Sequence, residues 1–568
     1  METFIYKIKQ HWAAIGVAIV LGIAMIAPFF YFRAELGSDF HGVLPAVVND
    51  VMFYYARIND AADGHSFLSN AYLYEHKDSL PQQLFLAEWL LAQPVKIFNL
   101  NINTVHLIYN FLLPAIAFIL TYLALFLSLK SQFWSIIFSI FLFFGLYLLA
   151  FIRPISPQFN FIFWLSQFIL LWRLLENQKS KKLLFLNIIN FGFLFYIYPY
   201  YWTFYLIFFG LLTVAYLFTN KKLALKILII ASGGFVLAVP YFYFNYLASR
   251  LPYYVETLTR LGMIYSRFPS GLRIIFWSAL VFMAFGWFLW KKIINLDIKT
   301  TFFISGILAS VIAVNQHLIT GKNFEFSSHY DMGAIFFLVF AAAYLWTNMK
   351  INRKLIGAIF IFIASATVIS GLSVFSERAL AVDENTAYQQ NYAPIFEWLN
   401  KNTEKDSVVY ANVDLSGLIP VYTANNVFYV REANLFFMSD HEVLDRFIIS
   451  NFFEDFNKDF IIENERAIFG VRYIDAYGHA VQGNKLRRLL GIKSEPEIYL
   501  PEDAIQKVLS HAKELQGGDF IKELKKYRID YLIWDRNKNP NWRINSKNFN
   551  PVFQNGELII FKFAFLNS

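Results

Sequence analysis

The side chains best suited to chemistry crowd into one short stretch. Between Glu35 and Asp78 stand Glu35, Asp39, His41, Asp50, Arg57, Asp60, Asp63, His65, Glu75, His76 and Asp78. Carboxylates and imidazoles can exchange protons with a substrate or hold a metal ion. Asp50, Tyr54, Arg57 and Ala61 recur at i, i+4, i+7 and i+11, so a helix starting at Asn49-Asp50 carries them on one face. Asp63-Gly64 is a helix stop, because glycine commonly follows the last turn. An acid in a first turn has an ordinary explanation, since free backbone N–H groups stabilise it there. The chemical alternative for Asp50 is a general base or a metal ligand.

What must position these residues is mostly membrane-spanning helix. The chain is 57% hydrophobic and only 16% charged, whereas a soluble domain has roughly a quarter charged. Its 64 Phe and 33 Tyr suit lipid-facing helices with aromatic ends. The absence of cysteine excludes disulfides, thiolate metal sites and cysteine nucleophiles. The net charge of +8 brackets apolar runs and forms no single stripe, which sets nucleic acid aside. The run from Trp12 to Phe32 is long enough to span, and no small-residue cleavage site follows it, so a retained span is expected.

Apolar runs of roughly 20 residues fall at about 12–32, 104–128, 132–152, 158–175, 183–198, 201–219, 224–246, 272–290, 301–319, 331–349 and 355–375. With Met1 inside, the inner loops hold Lys7 and Lys9; Lys130; Lys179, Lys181 and Lys182; Lys221, Lys222 and Lys226; Lys291 and Lys292; Lys350, Arg353 and Lys354. Every inner loop is then basic. The Tyr198-Pro199-Tyr200 turn has no Lys or Arg and belongs outside, so two spans meet there. The expectation is an α-helical polytopic membrane protein with about eleven spans, its N-terminus cytoplasmic and its C-terminus extracytoplasmic. Residues 1–375 form the transmembrane part, with an outer first loop at 33–103.

From about Ser376 charges become frequent, and residues 376–568 are expected to form a soluble extracytoplasmic α/β domain. Ser407–Ala411, Val427–Val430 and Ile529–Trp534 read as strands. Asn555-Gly556 between Phe553 and Phe561 is a hairpin signal. Asp414, Asp440, His441, Glu442 and Asp445 form no triad or metal spacing that the sequence alone makes recognisable.

One span, then an outer loop with an Asp, then Tyr and Ala-Arg on the next turns, then Asp-Gly, resembles the GT-C superfamily of glycosyltransferases. The matching residues are Asp50, Tyr54, Ala56-Arg57 and Asp63-Gly64. In that superfamily an Asp in the first outer loop is catalytic. The resemblance therefore implies Asp50 as the base, with Asp39, nearer the span, as runner-up. It also implies inverting sugar transfer from a polyprenyl-phosphate donor. Many members carry an acidic pair, whereas this chain has Asn49-Asp50. The cofactor is left open, with a divalent cation one option.

Tyr54, Arg57, His65 and Glu75 are substrate-binding candidates from the first loop. Arg153, in Ile152-Arg153-Pro154, can snorkel to headgroups or contact a phosphate. Arg250, Arg260, Arg267 and Arg273 give an outer loop an unusual positive charge, suited to interfacial anchoring or an anionic headgroup; Arg260 and Arg267 are the binding candidates. Asn315–Lys322 and Ser328–Asp331 are polar for span ends, and Lys322 and His329 are candidates there. Tyr196–Trp202 reads as an aromatic interface belt.

These features favour a membrane glycosyltransferase of the cell envelope. Its partners are a polyprenyl-phosphate sugar, membrane lipid and an acceptor glycan, lipid or protein, at a plasma membrane. A transporter or flippase of lipid-linked sugars would want polar groups at mid-membrane depth and repeated halves; neither is evident. A non-catalytic sensor or scaffold leaves the acid-rich first loop unexplained.

Overall fold

The computed structural model describes residues 10–45, 50–65, 67–81, 85–263, 265–324, 327–349, 353–380, 383–544 and 548–563. Asn49, Lys7, Lys9 and Lys350 lie outside them, as do the side chains of Arg353 and Lys354.

All eleven expected spans fall on helical chain. Among the described residues seven helices are long and apolar enough to cross a membrane: Trp12–Asp39, Ile102–Leu129, Pro154–Glu176, Pro199–Thr219, Leu272–Trp290, Ser327–Thr347 and Ile356–Ala379. Lys221–Leu237 and Val239–Ala248 make an eighth together, bent by 51°. Pro240 starts the second arm, where its missing N–H and fixed φ break the ladder. The other three expected spans are shorter helices, with Gln132–Leu142 running on into an irregular turn. Asn101, Ser131, Ser180, Asn220 and Asp297 cap their helices by accepting a backbone N–H. Lys181–Ile197 and Pro199–Thr219 are separate helices joined at extended Tyr198.

Aromatic packing holds the bundle. Phe168 meets Phe302, Phe336, Phe337 and Phe340 with ring centroids 4.8–5.4 Å apart, mostly edge to face. Gly306 makes room for it: a Cβ there would lie 2.3 Å from the Phe337 ring.

Between two of these helices the chain departs from α geometry. π turns at Phe143–Tyr147 and Pro154–Phe159 flank a 3-10 turn at Ala150–Ile152. Arg153 sits extended between them, at φ −88° and ψ 125°. Buried Gln158 fixes this segment by donating to Asn110 Oδ1 at 2.6 Å and to the Phe151 carbonyl.

The C-terminal unit is built on a five-stranded sheet ordered β2-β1-β3-β5-β4. The strands are β1 (Val408–Tyr410), β2 (Asn426–Val427), β3 (Tyr531–Asp535), β4 (Phe549–Asn555) and β5 (Leu558–Phe563). β1 is parallel to β2 and β3, and β5 is antiparallel to β3 and β4. Gly556, at φ +57°, takes the first loop position of the β4–β5 hairpin.

The first loop is a layer between bundle and sheet. Its helices are Asp50–Ala62 and Leu86–Phe98, and Gly64 follows the first at φ +107°. Gln390 accepts from the His41 and Val43 N–H groups, and Asn59 donates to the Pro420 and Thr423 carbonyls. From β2, the Val427 N–H donates to Tyr72 O at 2.9 Å.

Candidate functional site at one end of the helix bundle

The Asp50–Ala62 helix packs against Leu86–Phe98 on one side and Val413–Tyr422 on another. It is therefore buried almost all round. Sequence periodicity anticipated one presented face, but Met52, Tyr55, Arg57 and Ala61 are all buried. Only its first turns open outward, and there Asp50 lies with its side chain 53% exposed.

Arg153 meets it. Its Nη1 donates to Asp50 Oδ2 at 2.9 Å, and the Arg153 side chain is 29% exposed. Tyr54, one turn on from Asp50, lies within electrostatic reach of Arg153. Burial raises the Tyr54 phenol to about 12, so it stays a neutral donor. Burial works against the Arg153 charge, yet Tyr54, Asp50 and Tyr198 together leave its pKa raised. Arg153 is thus a permanent cation held at a fixed turn.

Tyr198 and His329 complete the cluster. The Tyr198 hydroxyl is hydrogen-bonded to His329 Nδ1, and the Tyr200 ring stacks on the imidazole at 4.5 Å. His329 feels the charges of both Arg153 and Asp50. Four segments far apart in sequence, near 50, 153, 198 and 329, thus converge at one end of the bundle. A small recess of about 20 Å³ adjoins it, lined by Met25, Phe29, Val51, His106, Asn110 and Ile152 among others. It lies between the first, second and last long helices, and Val51 and Ile152 are the direct neighbours of the ion pair.

The other sequence candidates lie elsewhere. Asp39 is exposed in a turn after the first helix, its carboxylate 3.5 Å from the Ser38 hydroxyl. Arg57 is fully buried, with Nε donating to Glu88 at 2.7 Å. His65 pairs with Asp406 at 3.1 Å, and Glu75 with Arg446 at 3.0 Å. Arg260 is buried against Asp440 at 2.6 Å and the carbonyls of Asn434, Phe436 and Met438. Arg267 donates to the carbonyls of Leu318 and Ile319, and exposed Lys322 pairs its backbone with Tyr265. His65, Glu75 and Arg260 thus join the first and middle loops to the C-terminal unit.

Tyr198 was missed as a site residue because a tyrosine at a span end looks like a belt residue. The available signal was its outer turn, placed on the same side as residues 50, 153 and 329 by the charge count.

Among the described residues Asp50 belongs to no group of three or more carboxylates and imidazoles within ligand reach of one another, and its Oδ2 is bonded to Arg153. What the arrangement can do is bind an anion through Arg153, offer phenol donors, and supply a carboxylate base beside them.

The long apolar helices and C-terminal sheet define a polytopic α-helical membrane protein. No protein-family model matches the chain, and no curated protein sequence matches it. Among solved structures it is similar to the Archaeoglobus fulgidus oligosaccharyltransferase in its apo form, with TM-score 0.48 and 11% identity, covering 93% of this chain and 70% of that one. The same enzyme tethered to an acceptor peptide containing the NVT sequon gives TM-score 0.47 and 11% identity, covering 83% and 70%.

Proposed function

We propose that the chain is a membrane glycosyltransferase of the GT-C type, using a polyprenyl-phosphate sugar on the extracytoplasmic face. The observation that carries this reading is the Asp50–Arg153 pair at 2.9 Å, walled by Tyr54, Tyr198 and His329. A lipid phosphate needs a cation at the membrane boundary, and an acceptor hydroxyl needs a base within about 3 Å. Here the two lie side by side.

In this reaction the acceptor oxygen attacks the anomeric carbon as the bond to the phosphate oxygen breaks on the opposite face. Asp50 takes the hydroxyl proton. The bonding pair leaves with the phosphate, whose charge Arg153 neutralises. The phosphate must first displace Asp50 from Arg153, and that exchange frees the carboxylate to act as base. The guanidinium suits it because two parallel N–H groups match two phosphate oxygens.

Asp50→Asn keeps the size and removes the base. With a polyprenyl-phosphate sugar and reconstituted protein, transfer should fall by about 10²–10⁴-fold, while Asp39→Asn transfers as wild type does. Transfer by Asp50→Asn at the wild-type rate would move the base elsewhere. Lipid crossing the bilayer without any sugar transfer would favour the transport alternative.

A further inference from the structure

The C-terminal unit holds a second cluster of titratable groups, remote in sequence from the first loop. His441 and Asp445 stand one turn apart on the helix Asp440–Ser450, and His511 comes from the helix Glu502–Gln516. The sequence concealed this group, because His511 lies 66 positions beyond Asp445. His441 Nδ1 is 3.1 Å from Asp445 Oδ2, and His511 Nε2 is 2.6 Å from Asp445 Oδ1. All three donor atoms lie within 4.8 Å of one another.

The neighbours of Asp445 sharpen its position. Asp440 is paired with Arg260 and Arg472, and Glu442 with Arg446 and His76. Among the described residues the ion-pair partners of Asp445 are the two imidazoles alone. Its side chain is 16% exposed. This largely buried carboxylate therefore faces two imidazoles, and among the described residues no Lys or Arg forms an ion pair with it. Glu514 approaches the remaining ring nitrogen of His511, Nδ1, at 3.7 Å. A carboxylate behind a ligating imidazole orients the ring and strengthens its donor nitrogen.

We infer that His441, Asp445 and His511 form a binding site for a divalent transition metal, zinc above all, that joins these two helices. Two imidazoles and one carboxylate suit zinc, whereas calcium and magnesium want a shell of oxygens. Zinc–ligand bonds of about 2.0–2.2 Å put tetrahedral ligand atoms roughly 3.3 Å apart. Both measured separations are shorter than that value, so the rings part slightly to admit the ion, and His441, whose side chain is 75% exposed, has room to swing. Water takes the fourth position on that open side.

The test uses the full chain, purified without a polyhistidine tag and stripped with a chelator. Cobalt is titrated in as a spectroscopic probe and then displaced by zinc, with metal content measured by mass spectrometry. Wild type should take up one equivalent, with the visible absorption of a four-coordinate site. His441→Ala and His511→Ala should each weaken binding at least about tenfold, and Glu514→Gln by about tenfold at unchanged stoichiometry. Because His441 is exposed, its variant should elute in gel filtration as wild type does. Absence of stoichiometric uptake by wild type, or equal affinity in His441→Ala, overturns the assignment. Asp50→Asn should bind metal normally, which separates this site from the transfer reaction.

Discussion

Arg57 matches the pattern that suggested a catalytic loop, yet its surroundings make it a structural residue, and the difference can be measured. Its side chain has no exposed surface, and Glu88, its partner at 2.7 Å, is 4% exposed. The guanidinium also lies over the Phe53 ring at 5.3 Å and the Phe436 ring at 5.6 Å, so it contacts the C-terminal unit. Arg57→Met strands a buried carboxylate, which costs about 3–5 kcal/mol. Loss of the two cation–π contacts adds about 0.5–2 kcal/mol. Glu88→Leu strands the guanidinium and should cost a similar amount. The double variant strands nothing and should recover most of either loss, because apolar replacement of a whole buried pair is often neutral. Thermal unfolding in detergent, followed by fluorescence-detected gel filtration, reads all four proteins. Single variants that melt with wild type, or a double variant that melts at the sum of the two losses, would refute the reasoning.

Arg153→Ala should behave oppositely. Its pair with half-exposed Asp50 contributes no more than about 1 kcal/mol to stability, so melting barely moves while the KM for the lipid-phosphate donor rises at least tenfold; an unchanged KM removes Arg153 from the donor site. Asp475 gives a pH signature: burial lifts its carboxyl to about 7, and its Oδ2 is buried with no hydrogen-bond partner among the described residues. A raised folded pKa means that its contribution is complete below the ordinary carboxylate value of 3.8 and is lost as pH climbs through about 7. Asp475→Asn should therefore melt higher than wild type at pH 8 and flatten the decline between pH 4 and 7; equal melting curves at pH 8 would contradict this.

The helical membrane part was legible because apolar runs and basic loops are local signals. So were β1, β3 and the Asn555-Gly556 hairpin. Asp50, Arg153 and His329 were singled out separately, and the charge count put their loops on one side. Periodicity could not tell Asp50 from Arg57, since both lie on the same stripe. Their roles diverge because Val413–Tyr422, more than 350 positions later, covers the helix and leaves only its first turns open. Arg260 shows the same limit: a cation beside the membrane looks like a headgroup binder until the carbonyls of Asn434, Phe436 and Met438 enclose it. The Leu86–Phe98 helix was overlooked because the span search favoured longer runs.

The salt bridge between Glu75 and Arg446 joins positions 371 apart in the chain. At roughly 5–20 residues per second of synthesis, Glu75 waits on the order of 20–70 s for its partner to be made. His65 and His76 wait nearly as long for Asp406 and Glu442. During that interval the loop is already made, but the surface that encloses it does not yet exist. Birth order therefore makes the last-translated segment the finishing piece of the first-translated one, and a chain cut short before residue 400 would carry Asp50 on a helix covered by Leu86–Phe98 but not by Val413–Tyr422.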